Sequence, residues 1–261
     1  MNSAWSSCLV LTTTDHGESD RLVTLYSEEL GKVTGIAKGA KRSLKRFVNK
    51  LEPFSRIRLH YRPSRTSSLL FICGAELEQA FLSLRHSYPR YLGAIYLCEL
   101  VLRFSKEKDP EQKLYCLLHW ALAGLDSGER PLRVCALFHL RLLQTVGYQP
   151  ELSHCSHCLL PVGPGHRYSL LAGNGTLLCN RCHQGRESFF ARQISLQTLK
   201  FLNKAQQDSL EHLHRLQLPD NAARESLAAL YHYSRYLLQQ EIHSWKPLLN
   251  STGRTSGLVQ G

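Results

Sequence analysis

The sequence lacks the segments that would direct a chain into or across a membrane. Its first twenty residues contain no basic region followed by an apolar core, so we expect no signal peptide. The most apolar stretch, residues 91–104, is interrupted by Glu99 and Arg103 and is too short to span a bilayer. With 43% hydrophobic and 20% charged residues, the composition is typical of a folded protein, and we expect a cytoplasmic protein with no membrane partner.

Signature motifs of common enzyme classes are also missing. There is no G-x-x-x-x-G-K-[ST] phosphate loop, because Gly31-Lys32 lacks both the upstream glycine and the following Ser or Thr. The motifs H-E-x-x-H and G-x-S-x-G do not occur. His16 and Glu18 fit the first part of the zinc-deaminase signature, but no paired cysteine follows a proline. ATP hydrolysis is therefore unsupported by the sequence.

A disulfide framework is not expected either, since the chain has nine cysteines, an odd number. Five of them stand singly in apolar patterns, where cysteine behaves as a small buried hydrophobe: Cys8, Cys73, Cys98, Cys116 and Cys135. The other four form two Cys-x-x-Cys pairs separated by twenty residues, a spacing typical of a tetrahedral zinc site: Cys155, Cys158, Cys179 and Cys182. Four thiolates fill the coordination shell, so the predicted Zn²⁺ is structural. The alternatives are a pair of redox dithiols and a remnant that binds no metal.

The positive charge is concentrated in one stretch. The chain has a formal net charge of +11, and residues 31–65 alone contain eleven Lys or Arg against one acid, Glu52. A cationic field this local favours a polyanion as the partner. The alternative is a solvated basic face that only aids solubility. We predict that nine of these basic residues contact nucleic acid: Lys32, Lys38, Lys41, Arg42, Lys45, Arg46, Lys50, Arg62 and Arg65.

Short alternating apolar runs in the first 80 residues predict a small β-barrel. Turn clusters separate five predicted strands, at residues 5–14, 21–26, 32–38, 53–61 and 67–77. The long connection from residue 39 to residue 52 joins the third and fourth strands. We expect it to be a flexible basic loop beside the barrel face, where it can follow a phosphate backbone.

Helical periodicity dominates the rest of the chain. Apolar residues at three- and four-residue spacing predict helices at 88–104, 111–125, 131–146, 196–218 and 222–245, with Ser195 and Asp220 as N-caps. The prediction is an α+β multidomain chain. It consists of a barrel domain at 1–80, a helical domain in two parts at 81–150 and 191–246, a zinc-binding segment at 151–190 and a disordered tail at 247–261.

Several segments, taken together, carry a family resemblance. They are GKVTGIAKGAKR at 31–42, LEPF at 51–54, FHLRLLQTVGYQP at 138–150, the first cysteine pair at 155–158, and GNGTLLC with the second pair at 173–182. In this order and spacing the sequence resembles the bacterial RecO family of recombinational DNA-repair proteins. The resemblance covers most of residues 5–245.

This resemblance implies an N-terminal OB-fold, a helical domain and an inserted zinc knuckle. It also implies a non-enzymatic protein that binds single- and double-stranded DNA and anneals complementary strands without ATP. Family members work with RecR and single-strand-binding protein to load RecA, so a nucleoid-associated location is expected. Lys38, Lys41 and Arg42 match the family's DNA-binding loop most closely.

An OB-type barrel binds a strand by stacking bases on exposed aromatic rings while nearby cations neutralise the phosphates. Phe47, Phe54 and Tyr61 are the candidates for stacking, and we expect at least one of Phe54 and Tyr61 to lie in the core instead. A mobile cationic loop would lower the repulsion between two strands, which requires no fuel. Little base specificity is expected, because phosphate contacts carry no sequence information.

Two other functions stay open at this level. A metal-dependent nuclease would need clustered carboxylates for Mg²⁺, and Asp15, Glu18 and Asp20 are the one tight group of acids in the sequence. An RNA-binding factor could use the same barrel, because phosphates do not distinguish the sugars.

Overall fold

A computed structural model describes residues 3–64, 67–183 and 191–252 of the 261-residue chain. Arg65, one of the predicted nucleic-acid contacts, lies outside the described residues, and so does the predicted tail beyond residue 252. Within the described part, no helix has both the length and the apolarity needed to cross a membrane. The chain forms an N-terminal barrel, a helical body and a small three-stranded sheet.

Five strands form the barrel, as the alternation of apolar and polar residues predicts: β1 (Ala4–His16), β2 (Asp20–Ser27), β3 (Gly31–Ala37), β4 (Arg56–Pro63) and β5 (Leu70–Gln79). The sheet closes in the order β1-β2-β3-β5-β4. β3 and β5 are parallel, and all other neighbours are antiparallel. This OB-like barrel, followed by helices, confirms the predicted fold class.

Inward-facing side chains fill the barrel and are almost fully buried: Val10, Leu25, Ile57, Leu59 and Ile72. The packing is close, since a Cβ added at Gly35 would lie 2.8 Å from Cγ1 of Ile72. Because successive side chains of a strand point to opposite faces, the residues between these apolar positions face outward. The outer face is therefore set by the same alternation that builds the core.

Seven helices lie in the described residues: α1 (Tyr88–Phe104), α2 (Gln112–Asp126), α3 (Pro131–Thr145), α4 (Asn180–His183), α5 (Leu196–Gln207), α6 (Asp220–Leu238) and α7 (Trp245–Ser251). The first three match their predicted spans closely. Leu9, Leu11 and Phe54 of the barrel segment belong to the same hydrophobic cluster as α1, α2 and α3. The barrel and the helical body thus share buried apolar contacts.

The helix predicted at 196–218 is shorter in the structure. α5 ends at Gln207, and a separate 3₁₀ helix follows at Leu210–Arg215. Arg141 of α3 explains the break, because its Nη1 donates to the carbonyl oxygens of Ala205 at 3.0 Å and Asp208 at 2.7 Å. A side chain from another helix satisfies the last carbonyls of α5, so the helix ends there.

Of the two residues predicted as helix N-caps, one is confirmed and the other is wrong. Ser195 is the N-cap of α5, as predicted, and its side chain accepts from the N–H of Thr198. Asp220 is not a cap, since it is the first residue of α6 and Pro219 occupies the cap position. Proline φ suits that position, and the carboxylate of Asp220 still lies in the first turn, where the helix dipole favours an acid.

The predicted tail begins too early. α7 covers residues 245–251, and its Leu248 is buried in the helical core. Arg224 of α6 holds this segment, donating from Nη1 to the carbonyl oxygen of Leu249 at 3.0 Å and from Nη2 to Thr252 Oγ1 at 2.7 Å. An apolar contact and two hydrogen bonds therefore order the first residues of the segment predicted as a disordered tail.

The small sheet joins the cysteine segment to the helices. It consists of β6 (Tyr168–Leu171), β7 (Thr176–Cys179) and β8 (Ala191–Ile194) in the order β7-β6-β8. Leu170 and Leu177 of this sheet pack in a second core with Leu199 of α5 and Leu230 of α6. The cysteine segment is thus built onto the helical body.

Candidate nucleic-acid interface and metal centre

The basic loop, defined here as residues 38–55 between β3 and β4, follows a fixed path along the barrel. Gly39 adopts a φ of 67°, and its N–H donates to Asp20 Oδ1 at 2.9 Å. Phe47 and Leu51 are 3% and 1% exposed and belong to the barrel core. The prediction of a loop that hangs flexibly beside the barrel is therefore wrong, because two of its own apolar side chains anchor it.

Acids from the β1–β2 turn pair with the first cations of the basic loop. The ion pairs are Lys38 Nζ to Asp20 Oδ2 at 2.7 Å, Lys41 Nζ to Asp15 Oδ2 at 3.0 Å, and Arg42 Nη2 to Glu18 Oε2 at 3.6 Å. The hydrogen bond from Lys38, helped by the N–H of Gly39, lowers the pKa of Asp20 to about 2. These pairs hold the start of the loop and offset part of its charge.

The same ion pairs bear on the nuclease alternative. Asp15, Glu18 and Asp20 each face a cation, so they do not form the free carboxylate cluster that a Mg²⁺-dependent nuclease needs. Over the described ranges, the one group of three or more side chains able to hold a metal is the set of four paired cysteines. The acids act as partners of the basic loop.

Lys32 does not belong to the exposed cations, in contrast to its prediction as a nucleic-acid contact. Its Nζ donates to the carbonyl oxygens of Leu102 at 2.8 Å and Ser105 at 2.6 Å, and its side chain is 13% exposed. These carbonyls lie at the C-terminal end of α1, where a cation is favourable. Lys32 therefore fastens the barrel to the helical body.

The later part of the basic loop carries two exposed cations, Lys45 and Arg46, and the half-buried Lys50. Arg46 Nη2 donates to the carbonyl oxygen of Lys38 at 2.6 Å, and its guanidinium lies 4.4 Å from the ring centroid of Phe47. Lys50 Nζ donates to the carbonyl oxygen of Lys45 at 3.2 Å. These contacts orient the cations through backbone oxygens and a ring, so their charge is not neutralised.

We call Arg42, Lys45, Arg46 and Lys50 the loop cations. Arg42 joins the other three because its side chain is 72% exposed and its partner Glu18 is 93% exposed, which makes their ion pair weak in water. Together the loop cations present four charges on a surface that the core does not cover. A phosphate backbone can contact them without displacing a buried group.

Arg62 lies on β4, apart from the basic loop in sequence. It is exposed, and its guanidinium lies 4.3 Å from the ring centroid of Phe71 on β5. The same two residues, with Ile36 of β3, line an open groove of about 610 Å³. Ile36 precedes Lys38 by two residues, so the groove lies at the end of the barrel where the basic loop begins.

None of the three aromatic residues predicted to stack on bases is exposed. Phe47, Phe54 and Tyr61 are 3%, 4% and 9% exposed. Phe47 and Tyr61 pack in the barrel core, while Phe54 packs with the helices and contacts Tyr91 edge to face at 5.4 Å. The stacking prediction is wrong because all three rings are buried in a core, whereas the expectation that Phe54 or Tyr61 lies in the core is confirmed.

An exposed aromatic pair was missed by sequence reasoning. Trp5 on β1 is 42% exposed and stacks on His60 of β4, with ring centroids 4.6 Å apart and planes 11° apart. Trp5 has the opposite parity to the buried Cys8 and Val10 along β1, and this could have indicated its outward position. The barrel thus offers one aromatic surface that its core does not use.

The four paired cysteines, called the cysteine quartet below, meet in one cluster. The Sγ atoms of Cys155, Cys158, Cys179 and Cys182 lie within 4.8 Å of one another. Cys158 Sγ and Cys179 Sγ are 3.9 Å apart, and tetrahedral Zn–S bonds of about 2.3 Å would separate two sulfurs by about 3.8 Å. All four are free thiols. The quartet can hold a metal ion, and its sulfur donors and spacing fit Zn²⁺.

The core buries one cysteine of each pair in the quartet. Cys155 is fully buried and Cys179 is 3% exposed. Burial raises the pKa of the Cys155 thiol, but hydrogen bonds from the N–H groups of Cys158, Cys179 and His157 outweigh this and lower its pKa to about 6. Burial and the neighbouring sulfurs raise the pKa of Cys182 to about 12. Because adjacent thiolates repel one another, all four cysteines can be deprotonated together only with a cation among them, as at a metal site.

Comparison with known proteins gives matches over nearly the whole chain. The family model described as recombination protein O N terminal matches residues 1–81, and the one described as recombination protein O C terminal matches residues 85–246. A DNA repair protein RecO of Syntrophus aciditrophicus is 34% identical over 239 residues, covering 92% of each chain. One of Syntrophobacter fumaroxidans is 33% identical over 248 residues, covering 95% of this chain and 98% of the relative. One of Anaeromyxobacter sp. strain K is 36% identical over 225 residues, covering 85% and 86%.

Proposed function

The chain belongs to the RecO family of DNA repair and recombination proteins, and from this premise we propose that it binds single- and double-stranded DNA and anneals complementary strands without ATP. The main contact is the basic loop, with the loop cations on the phosphates. Arg62 extends this surface along β4. The quartet binds Zn²⁺ in a structural role and takes no part in annealing.

The observation that carries this proposal is that some basic residues of the barrel are paired within the protein, while the loop cations are paired weakly or not at all. Lys32, Lys38 and Lys41 bond to carbonyl oxygens or carboxylates of the protein itself. The loop cations are instead held by weak or uncharged contacts on an exposed segment. A folded protein keeps such uncompensated charge at a cost in self-repulsion, which a polyanionic partner relieves.

Annealing follows from the same charges. Two DNA strands repel each other, and cations placed between them lower that repulsion while leaving the bases free to pair. This requires no nucleotide hydrolysis, in agreement with the absence of a phosphate-loop motif from the sequence. Contacts to phosphates carry no sequence information, so annealing is expected for any complementary pair.

The family resemblance also leads us to propose the partners. RecR and single-strand-binding protein bind this chain, and together they help to load RecA onto coated single strands. The protein then works at the nucleoid in the cytoplasm. The geometry assigns no surface to either partner, so this part of the proposal depends on the resemblance alone.

Annealing of two labelled complementary oligonucleotides, without ATP or Mg²⁺, tests the proposal. The test variant is Arg42→Gln/Lys45→Gln/Lys50→Gln, which leaves the ion-paired Lys38 and Lys41 in place. Its control is Lys106→Gln/Lys200→Gln/Lys204→Gln, which removes the same charge from exposed residues outside the barrel. We expect annealing by the wild type and the control, and loss of most annealing in the test variant.

Three outcomes would contradict the proposal. Equal annealing by the test variant would place the site away from the basic loop. Cleavage of the strands on adding Mg²⁺ would favour a nuclease. Preferential binding of an RNA competitor over DNA of the same sequence would favour an RNA-binding factor.

A further inference from the structure

The outer face of the barrel at β4 combines stacked rings with cations. Along this strand the inward residues alternate with Arg58, His60 and Arg62 on the outside. His60 stacks on Trp5 of β1, and the guanidinium of Arg58 lies 5.2 Å from the Trp5 ring centroid. Stacked rings with adjacent guanidinium groups are the means by which proteins bind unpaired bases.

The stack has an open end. In the strand register Trp5 lies opposite His60, and His60 lies opposite Gly74 of β5. The three residues therefore form a row across three adjacent strands. Neighbouring strands are about 4.8 Å apart, so the next position in the row is one strand spacing from the imidazole.

Gly74 leaves that position empty. A Cβ added there would meet no heavy atom within 4 Å, so space lies open above the backbone beside His60. No positive φ requires glycine at this position, in contrast to Gly39. Its lack of a side chain makes room next to the ring. The β4–β5 register shifts between His60 and Tyr61, so Gly74 also adjoins a bulge, and a glycine in a strand marks either such a bulge or the close approach of a ligand.

We propose that the space above Gly74 receives one unpaired base of a single-stranded nucleic acid, which stacks on His60 and extends the row that begins at Trp5. This inference depends on the proposed function, since it adds a base-binding subsite to the proposed phosphate-binding surface. His60 would take the stacking role predicted for Phe47, Phe54 and Tyr61, whose rings are buried.

The charges around this subsite favour a nucleotide. Arg62 lies over Phe71 next to it on the same face, and Arg58 lies on the other side of His60 along β4. Glu76 is the nearest acid on β5, and its carboxylate is 4.0 Å from Arg58 Nη1. Both side chains of that pair are more than half exposed, so a phosphate can compete for the guanidinium.

Base-dependent binding separates this subsite from the basic loop. The probe is a labelled oligo-dT of about 12 nucleotides, compared by anisotropy with an abasic oligomer of equal length that keeps every phosphate. Gly74→Val fills the space with a residue that suits a strand. Thr34→Ile, the control, adds apolar bulk to the outer face of β3.

We expect wild type and Thr34→Ile to bind oligo-dT about tenfold more tightly than the abasic oligomer, the effect of one stacked base. In Gly74→Val this preference should disappear, while its affinity for the abasic oligomer and for duplex DNA stays unchanged. Equal binding of the two oligomers by wild type, or an unchanged preference in Gly74→Val, would overturn the inference. If the wild type bound none of the oligomers, this result would instead contradict the proposed function itself.

A second pair of variants decides the matter if Gly74→Val does not fold. Trp5→Phe keeps a ring in the row and should keep the preference for oligo-dT, while Trp5→Ala should lose most of it. An unchanged preference in Trp5→Ala would mean that the exposed rings serve another partner, such as a protein.

Discussion

The basic loop and the cysteine quartet are both candidate binding sites, and the fold builds them in opposite ways. The quartet lies in the second core, with Cys155 fully buried and Cys179 nearly so. The loop cations lie on an exposed segment that is anchored mainly by Phe47 and Leu51. Removing a ligand from the quartet disturbs the core, whereas replacing Arg42, Lys45 or Lys50 removes no core side chain.

This difference makes the two sites separable by experiment. Under the proposed function, metal binding at the quartet contributes to folding, because two of the ligands, Cys155 and Cys179, are buried in the core. The proposed nucleic-acid binding by the basic loop draws instead on charges that are weakly paired in the folded protein. Substitutions at the quartet should then lower stability, and substitutions of the loop cations should lower affinity for DNA.

Loss of the quartet should have the largest effect, on stability. Cys158→Ser, or a strong chelator added to the wild type, should lower the Tm by on the order of 10 °C, because it removes a cross-link between two loops of the core. Thermal unfolding by circular dichroism, with zinc content by mass spectrometry, provides the measurement. Cys116→Ser, an exposed thiol outside the quartet, is the control. An unchanged Tm in a protein that holds no zinc would refute a structural metal.

Neutralising the loop cations should have the opposite result, weaker DNA binding at an unchanged Tm. Arg42→Gln/Lys45→Gln/Lys50→Gln should reduce the slope of log affinity against log salt on duplex DNA by about 3, since about 0.9 counterions are released per phosphate contact. Its Tm should stay close to that of the wild type. Titrations between 50 and 200 mM salt measure the slope, and the triple variant at Lys106, Lys200 and Lys204 is the control. A large drop in Tm would show that the loop cations stabilise the fold.

Lys32 lies near the basic loop in sequence, but replacing it is expected to lower stability, as loss of the quartet is, and to leave DNA binding unchanged. Lys32→Met leaves the carbonyls of Leu102 and Ser105 without their donor and should cost about 1–3 kcal/mol of stability. Its affinity for DNA should stay unchanged. Denaturant unfolding and a DNA titration measure the two quantities. The control Lys45→Met should bind DNA more weakly at unchanged stability. Weaker DNA binding at full stability would restore Lys32 as a contact.

Protonation of Asp20 should have the smallest effect. The Lys38 contact lowers its pKa from the usual 3.8 to about 2, so the anchor of the loop is complete above pH 4 and is lost as the pH falls through 2. The amide chemical shift of Gly39, whose N–H donates to Asp20, should report this titration by NMR. In Asp20→Asn the shift should no longer change over this range. A midpoint near 3.8 in wild type would mean that the ion pair does not form in solution.

Much of the fold and of the metal site could be predicted from local patterns. The five strands and the first three helices follow from spacings of two and of three to four residues, which report the buried face directly. The quartet could be predicted because ligand type and spacing are themselves the chemistry of the site. The end of α5 could not, since it depends on Arg141 from another helix.

The sequence by itself determined the two kinds of chemistry on this protein, a sulfur site and a local excess of cations, because both follow from residue type and spacing. Tertiary structure alone decided which cations are left exposed and which are paired within the protein. Lys32 reaches the end of α1, and Lys38 meets Asp20 from a different turn. It also decided that Trp5 is exposed while Phe47 is buried. The physical reason is that charge is additive along a chain, while exposure and pairing depend on contacts between segments that folding brings together.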